Sequence, residues 1–297
     1  MLSLKSHIET KLERARSAIE DSIRSNQTCC HLKDIDFSGG HIPKYDEEDI
    51  QNLYLLRYYG AYLCEYKWIY NKAIKYLENS NLNILSLGCG CGLDYSGLYF
   101  AALDMKIDMA KIKYVGYDVV NWLNRDHFEN LSAKFIIKSV SDLPVVKRFN
   151  NIIIFPKSIS DIDDLSFQKL ANQLSQCDFV SPKIVLISSI RADKHYMSSD
   201  IDRFQLIFKQ FSDKGFATTD KTNEYWHFSN PDKAWATLMP GFSIPDSIVE
   251  FLKHLSEKCS KYIKNKKNCK PDCAKILNRW PILKVGTSRY QMVQLQK

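Results

Sequence analysis

The stretch NILSLGCGCGLDYSGLYF, Asn83 to Phe100, constrains the fold of this chain more than any other. An apolar run, Ile84 to Leu87, is followed by glycines at alternate positions, Gly88, Gly90 and Gly92, and then by an amphipathic segment. That succession predicts a strand, a tight turn on backbone that glycine adopts most easily, and the start of a helix. The first amides of a helix lack partners within it and sit at its positive end, so this corner suits a nucleotide-like ligand.

The flanking pattern places the corner in a larger frame. Strand-like runs (NILSLG, IKYVGYD, AKFIIKS, FNNIIIFP, PKIVLISSI) alternate with helix-like segments (LDYSGLYFAALDM, VNWLNRDHF, DDLSFQKLANQLSQC, DIDRFQLIFKQFSDKG). Such alternation predicts a parallel sheet covered by helices on both faces, an α/β fold. FATTDKTNEYWHFSN reads as a hairpin, and RYQMVQLQ as an edge or antiparallel strand. Upstream, residues 1 to about 27 read as an ion-paired helix and IQNLYLLRYYGAYLCEYKWIYNKAIKYLEN as a long tyrosine-rich one, with Asp46 to Asp49 suited to its N-terminus. Gly39, Gly40 and Pro43 punctuate the loop between them. Arg57 lies among the apolar positions of the long helix, as a packing residue or as a ligand contact.

Composition narrows the class. The 297 residues are 45% hydrophobic and 25% charged, which excludes a disordered chain. No apolar run approaches the roughly 20 residues that cross a bilayer, and the charged N-terminus lacks a signal-peptide core. Nine cysteines, an odd number, do not form a disulfide framework. A cytoplasmic protein with no membrane partner is expected.

The ligand is narrowed by two details. A dinucleotide fingerprint needs its third glycine three residues beyond the second, where this chain has Leu93; no Walker lysine follows the turn either. The next strand then ends in Asp118, where a carboxylate can accept both hydroxyls of a ribose. Val119 and Trp122 offer apolar surface to a base, and the third strand leads into Ser141 and Asp142.

Three strand ends carrying a glycine loop, an acid and a second acid resemble the class I S-adenosylmethionine-dependent methyltransferases. The resemblance covers roughly residues 83 to 229, about half the chain. It implies a Rossmann-like seven-stranded, mostly parallel sheet with the cofactor S-adenosylmethionine across its C-terminal edge. Gly88, Cys89, Gly90 and Gly92 would lie beside the methionine moiety, Asp118 on the ribose, Val119 on the adenine, and Ser141 and Asp142 at its amine. Phe155 is grouped with these. Arg57 and Tyr58 would neighbour the carboxylate from an N-terminal lid over residues 1–80. The catalytic domain would span 81–297, with a Lys- and Cys-rich helical insertion at about 231–280.

The fourth strand end, IIIFPKSISD, lacks both the Asp/Asn-Pro-Pro-aromatic motif and a Pro-Cys nucleophile, which disfavours base or glutamine amino-nitrogen methylation and cytosine-C5 chemistry. Lys157 and Ser158 are the catalytic candidates, with a solvated loop lysine and a helix-capping serine as the alternatives. Glu224 to Phe228 either lines a pocket or packs on the sheet. His254, Cys259, Cys269 and Cys273 are candidate zinc ligands with irregular spacing, and Cys29, Cys30 and His31 form a second, weaker cluster. Seven lysines between Lys258 and Lys275, and a net charge of +7, make nucleic acid, structured RNA above all, the acceptor class expected on charge. A small-molecule or protein acceptor is the alternative enzyme, and a non-catalytic scaffold is the alternative to an enzyme.

Overall fold

The computed structural model describes residues 3–26, 28–36, 43, 45–78, 80–190, 194–227, 244–264, 272–281 and 289–297. Gly39, Gly40, Phe228 and Cys269 lie outside that set. In chain order the elements are α1 (Leu4–Asn26), α2 (Glu48–Leu77), β1 (Leu82–Leu87), α3 (Leu93–Asp104), β2 (Ile112–Asp118), β3 (Ser132–Ile137), β4 (Lys147–Arg148) and β5 (Ile152–Pro156). There follow α4 (Asp164–Gln176), β6 (Asp178–Phe179), β7 (Lys183–Ile190), α5 (Lys194–Ser212), β8 (Trp226–His227), α6 (Asp246–Lys253), α7 (Ser260–Lys264), α8 (Asp272–Leu277) and β9 (Arg289–Gln296). Among the described residues no helix is long and apolar enough to cross a membrane.

Two compact units divide the chain. One comprises residues 1–64, 122–125 and 235–285, the other residues 65–121, 126–234 and 286–297, so the division falls inside α2.

The first unit is helical. α1 buries Ile8, Leu12, Ala15, Ile19 and Ile23, a three-to-four spacing that puts them on one stripe. α6 packs on α1, and α8 packs on the 3₁₀ turn His31–Ile35. Residues 122–125 belong here and are not helical, contrary to the helix that VNWLNRDHF suggested. The reason is tertiary. The Leu123 amide donates to Gln51 Oε1 (2.8 Å), Asn124 Nδ2 to Asn52 Oδ1 (2.8 Å), and Lys11 Nζ to the Asn124 carbonyl (2.6 Å). Side chains of α1 and α2 thus occupy backbone groups that a helix would have satisfied internally.

The second unit is α/β. Its main sheet runs β3-β2-β1-β5-β7-β9-β8, parallel except where β9 meets β7 and β8. Six of these strands have five residues or more; the seventh place is held only by the two-residue β8. β9 is antiparallel as expected but lies inside the edge, between β7 and β8. Of the hairpin expected over residues 216–230, residues 228–230 lie outside the described set; among the described residues the segment pairs with β9 rather than with itself, Ala217 bridging Gln296 and β8 pairing with β9.

Side-chain alternation explains the two covered faces. Leu85, Leu87, Ile153, Phe155, Leu186 and Val293 join Phe167, Leu170 and Leu174 of α4 and Phe204, Ile207 and Phe211 of α5 in one core. On the other face Trp68 and Lys72 of α2 meet Tyr290 of β9. Connections run from β1 outward to β2 and β3, and from β5 in the opposite direction to β7. The C-terminal ends of β1 and β5 therefore flank the point where strand order reverses, where open α/β sheets bind ligands.

Candidate functional site

The glycine turn after β1 is built as the spacing suggested. Gly88, Gly90 and Gly92 have φ of 74°, 53° and 79°, left-handed backbone that a side chain disfavours. The Gly88 and Cys89 amides both donate to the Tyr117 carbonyl (2.8 and 3.0 Å), tying the turn to the end of β2. At Gly88 an added Cβ would stand 2.4 Å from the Ser158 Cβ, so the turn also abuts the loop after β5. The Cys89 and Cys91 side chains are buried, and Cys89 Sγ lies 2.7 Å from where a Cβ on Gly116 of β2 would stand. Cys89 can offer a ligand only its backbone.

Asp118 closes the turn. Its Oδ2 accepts from the Gly90 amide (2.7 Å) and its Oδ1 from the Val120 amide (2.9 Å). One carboxylate thus fixes the middle of the glycine loop and starts the turn beyond β2. Val119, 70% exposed, and the half-exposed Ile137, paired with Asp118 across β2 and β3, leave apolar surface beside it. Ser141 is nearly buried; its hydroxyl is shared with Ser139 (2.8 Å) and its carbonyl accepts from Gln173 (2.7 Å). Asp142 is exposed and pairs with Lys169 (3.4 Å).

Beneath the turn lies a carboxylate that the sequence reading passed over. Asp94, in the first turn of α3, is fully buried and accepts from the Tyr114 hydroxyl (3.0 and 3.1 Å) and the Tyr70 hydroxyl (3.4 Å). Burial pushes its acid up to about 6, against the lowering effect of the Tyr114 hydrogen bond and its own turn's amides.

The end of β5 departs from expectation in a useful way. Phe155 is 1% exposed and its ring packs in the core. Ser158 neither caps a helix nor stands free: its hydroxyl donates to the Leu87 carbonyl (2.5 Å), locking this loop onto the end of β1. Lys157 is not a solvated loop residue. It has φ of 56°, and its ammonium donates to Glu65 Oε1 (3.1 Å), Ser189 Oγ (2.8 Å) and the Ile190 carbonyl (3.2 Å). Glu65, on α2, is fully buried, and Ser189 also donates to its Oε1. The one sequence signal for Glu65 was a single acid within the aromatic run YLCEYKWIY.

Arg57, Tyr58, Cys29, His254, Cys259 and Cys273 belong to the first unit. Arg57 is 3% exposed and donates through Nη2 to the carbonyls of Ile276 (2.7 Å) and Leu277 (3.2 Å), where α8 ends. Burial lowers its pKa to about 10. Tyr58 stacks on Tyr62 at 5.5 Å, and burial raises its phenol. Cys29, Cys259 and Cys273 are buried free thiols, and burial raises Cys29, with Cys259 adding to the effect. His254 is held between Glu250 (3.5 Å) and Glu257 (3.2 Å). Among the described residues no group of three or more His, Cys, Asp or Glu is placed to hold a metal ion.

No protein-family model matches the chain, and no curated protein matches it. Solved structures do align with it. The plantazolicin methyltransferase BpumL, in complex with a monoazolic desmethyl analog and SAH, shares 12% identity over 98% of this chain and 99% of its own, with a TM-score of 0.42. The YcgJ protein of Bacillus subtilis shares 12% over 78% and 98%, with a TM-score of 0.39. Magnesium protoporphyrin IX methyltransferase of Synechocystis PCC 6803, with bound SAM, shares 13% over 73% and 91%, with a TM-score of 0.35.

Proposed function

We propose that the α/β unit binds S-adenosylmethionine and transfers its methyl group to an oxygen or nitrogen nucleophile. The observation that carries this reading is the clamp of the Gly90 amide onto Asp118, which brings a left-handed glycine loop and a strand-end acid to one point of the sheet edge. Gly88, Cys89, Gly90 and Gly92 would hold the methionine moiety through backbone. Asp118 would accept from the ribose hydroxyls while keeping its two amides, since a carboxylate has about four acceptor positions. The exposed Val119 would lie on the adenine, with Ser141 and Asp142 toward its amine. The cofactor supplies an electrophilic methyl carbon on a sulfonium. The chain supplies placement of the acceptor in line with that carbon, and exclusion of water.

Nucleic acid, the acceptor class expected on charge, gains no support: residues 265–271 of the lysine-rich stretch lie outside the described set. The reading therefore stops at an O or N nucleophile.

Calorimetric titration with S-adenosylmethionine tests it, comparing the wild type with Asp118→Asn, which keeps one oxygen for an amide. Micromolar binding is expected, weakened about ten- to a hundredfold in the variant, the loss of one charge-assisted hydrogen bond. Absence of binding by the wild type would reduce the glycine turn to architecture and favour a non-catalytic scaffold.

A further inference from the structure

Glu65 is a buried carboxylate with one oxygen used and one idle. Its Oε1 takes the Lys157 ammonium and the Ser189 hydroxyl, while its Oε2 is buried with no hydrogen-bond partner among the described residues. An unsatisfied buried oxygen is costly, more so on a charged group, so its persistence needs a reason.

Its position supplies one. Ser189 and Ile190 end β7, Lys157 follows β5, and the β5–β7 register sets Pro156 beside Ser189. The next residue, Ser158, is bonded to the end of β1 and touches Gly88. Tyr66, next to Glu65 on α2, packs on Gly97 of α3, so the helix is held close where the glycine loop begins α3. The residues that hold Glu65 thus lie at the same edge of the sheet as the proposed cofactor site, on the β5–β7 side of it.

Charge narrows what it can receive. Among the described residues Lys157 balances Glu65, and its ammonium has three acceptors. A cationic ligand would leave the buried cluster with excess positive charge, whereas a neutral donor would not.

We propose that Glu65 Oε2 receives the methyl acceptor, through a neutral hydroxyl or amine that donates to it. This assignment rests on the methyltransferase reading and names its substrate group. The acceptor lone pair forms the new bond to the methyl carbon as the carbon–sulfur bond breaks, its electron pair remaining on sulfur. The acceptor proton passes to Oε2, and from there to solvent when product leaves. Lys157 and Ser189 are positioning residues that fix the carboxylate so that Oε2 is the oxygen presented.

The test compares wild type with Glu65→Gln. S-adenosylhomocysteine affinity is measured by calorimetry, and tritiated methyl transfer from S-adenosylmethionine is measured into an aqueous cell extract, whole and as its ultrafiltrate. Affinity is expected to hold within about twofold while transfer falls about 10²–10⁴-fold, the range of a positioned acid or base. Undiminished transfer by the variant overturns the assignment and leaves methyl transfer standing. A wild type that binds S-adenosylhomocysteine but methylates nothing in either extract overturns both. Should Glu65→Gln not fold, the crystal structure of the wild type with S-adenosylhomocysteine decides. A water or acceptor on Oε2, facing the sulfur, is expected; protein atoms walling Oε2 from the sulfur would contradict it.

Discussion

The two edges of the main sheet are built on opposite principles. At the N-terminal edge, the nearly buried Asn151 uses every polar group it has. Its Oδ1 accepts from the Asn83 amide (2.8 Å) and its Nδ2 donates to the Asn81 carbonyl (2.7 Å). Its amide donates to the Asn83 carbonyl (3.0 Å) and its carbonyl accepts from Val185 (2.8 Å). At the C-terminal edge, three glycines and Lys157 hold left-handed backbone, and Glu65 leaves an oxygen idle. One edge is sewn for stability. The other retains strain and unmet hydrogen-bonding capacity, the pattern expected where a ligand completes the structure.

Substitutions at the two edges sharpen this contrast. The largest loss is expected from Lys157→Ala, which strands the Glu65 carboxylate: about 3–5 kcal/mol by urea unfolding, since breaking a buried pair leaves a charge uncompensated. Saturating S-adenosylhomocysteine should recover part of the midpoint, because any ligand of the folded state stabilises it. Asn151→Ala should cost roughly 2–4 kcal/mol in the same experiment, from two buried hydrogen bonds. It should leave cofactor affinity unchanged, whereas an affinity change there would blur the division between the edges.

The smallest effect is a dependence on pH. The Asp94 acid is pushed up to about 6, above its usual 3.8, so the folded chain keeps a proton that the unfolded chain releases between those values. Stability from this group is complete below about pH 4 and declines as pH rises toward 6, by up to about 3 kcal/mol. Asp94→Asn should lack that decline. The difference between the two pH–stability curves, measured from pH 4 to 7, isolates it; parallel curves would mean that the carboxylate is ionised throughout.

What the sequence made legible was local. The glycine turn, the acid ending β2 and the parallel alternation each depend on residues close in the chain, so spacing and residue type were sufficient. Residues 122–125 were misread because Gln51, Asn52 and Lys11, far off in sequence, capture the segment's polar groups against its apolar periodicity. Phe155 looked like a ligand contact by its place at a strand end, yet strand alternation turns its ring into the core. Glu65 and Ser189 lie 124 residues apart, and only folding reveals that Lys157 joins them. The lone acid in an aromatic helix was visible; its partners were not.

The most direct test of the central claim uses protein labelled with ¹⁵N only at its 11 glycines, titrated with S-adenosylhomocysteine. The amide signals of Gly88, Gly90 and Gly92 should move together at micromolar ligand while Gly215, at the turn after α5, stays in place. Unmoved loop glycines at saturating ligand would contradict a cofactor site at the C-terminal edge of the sheet.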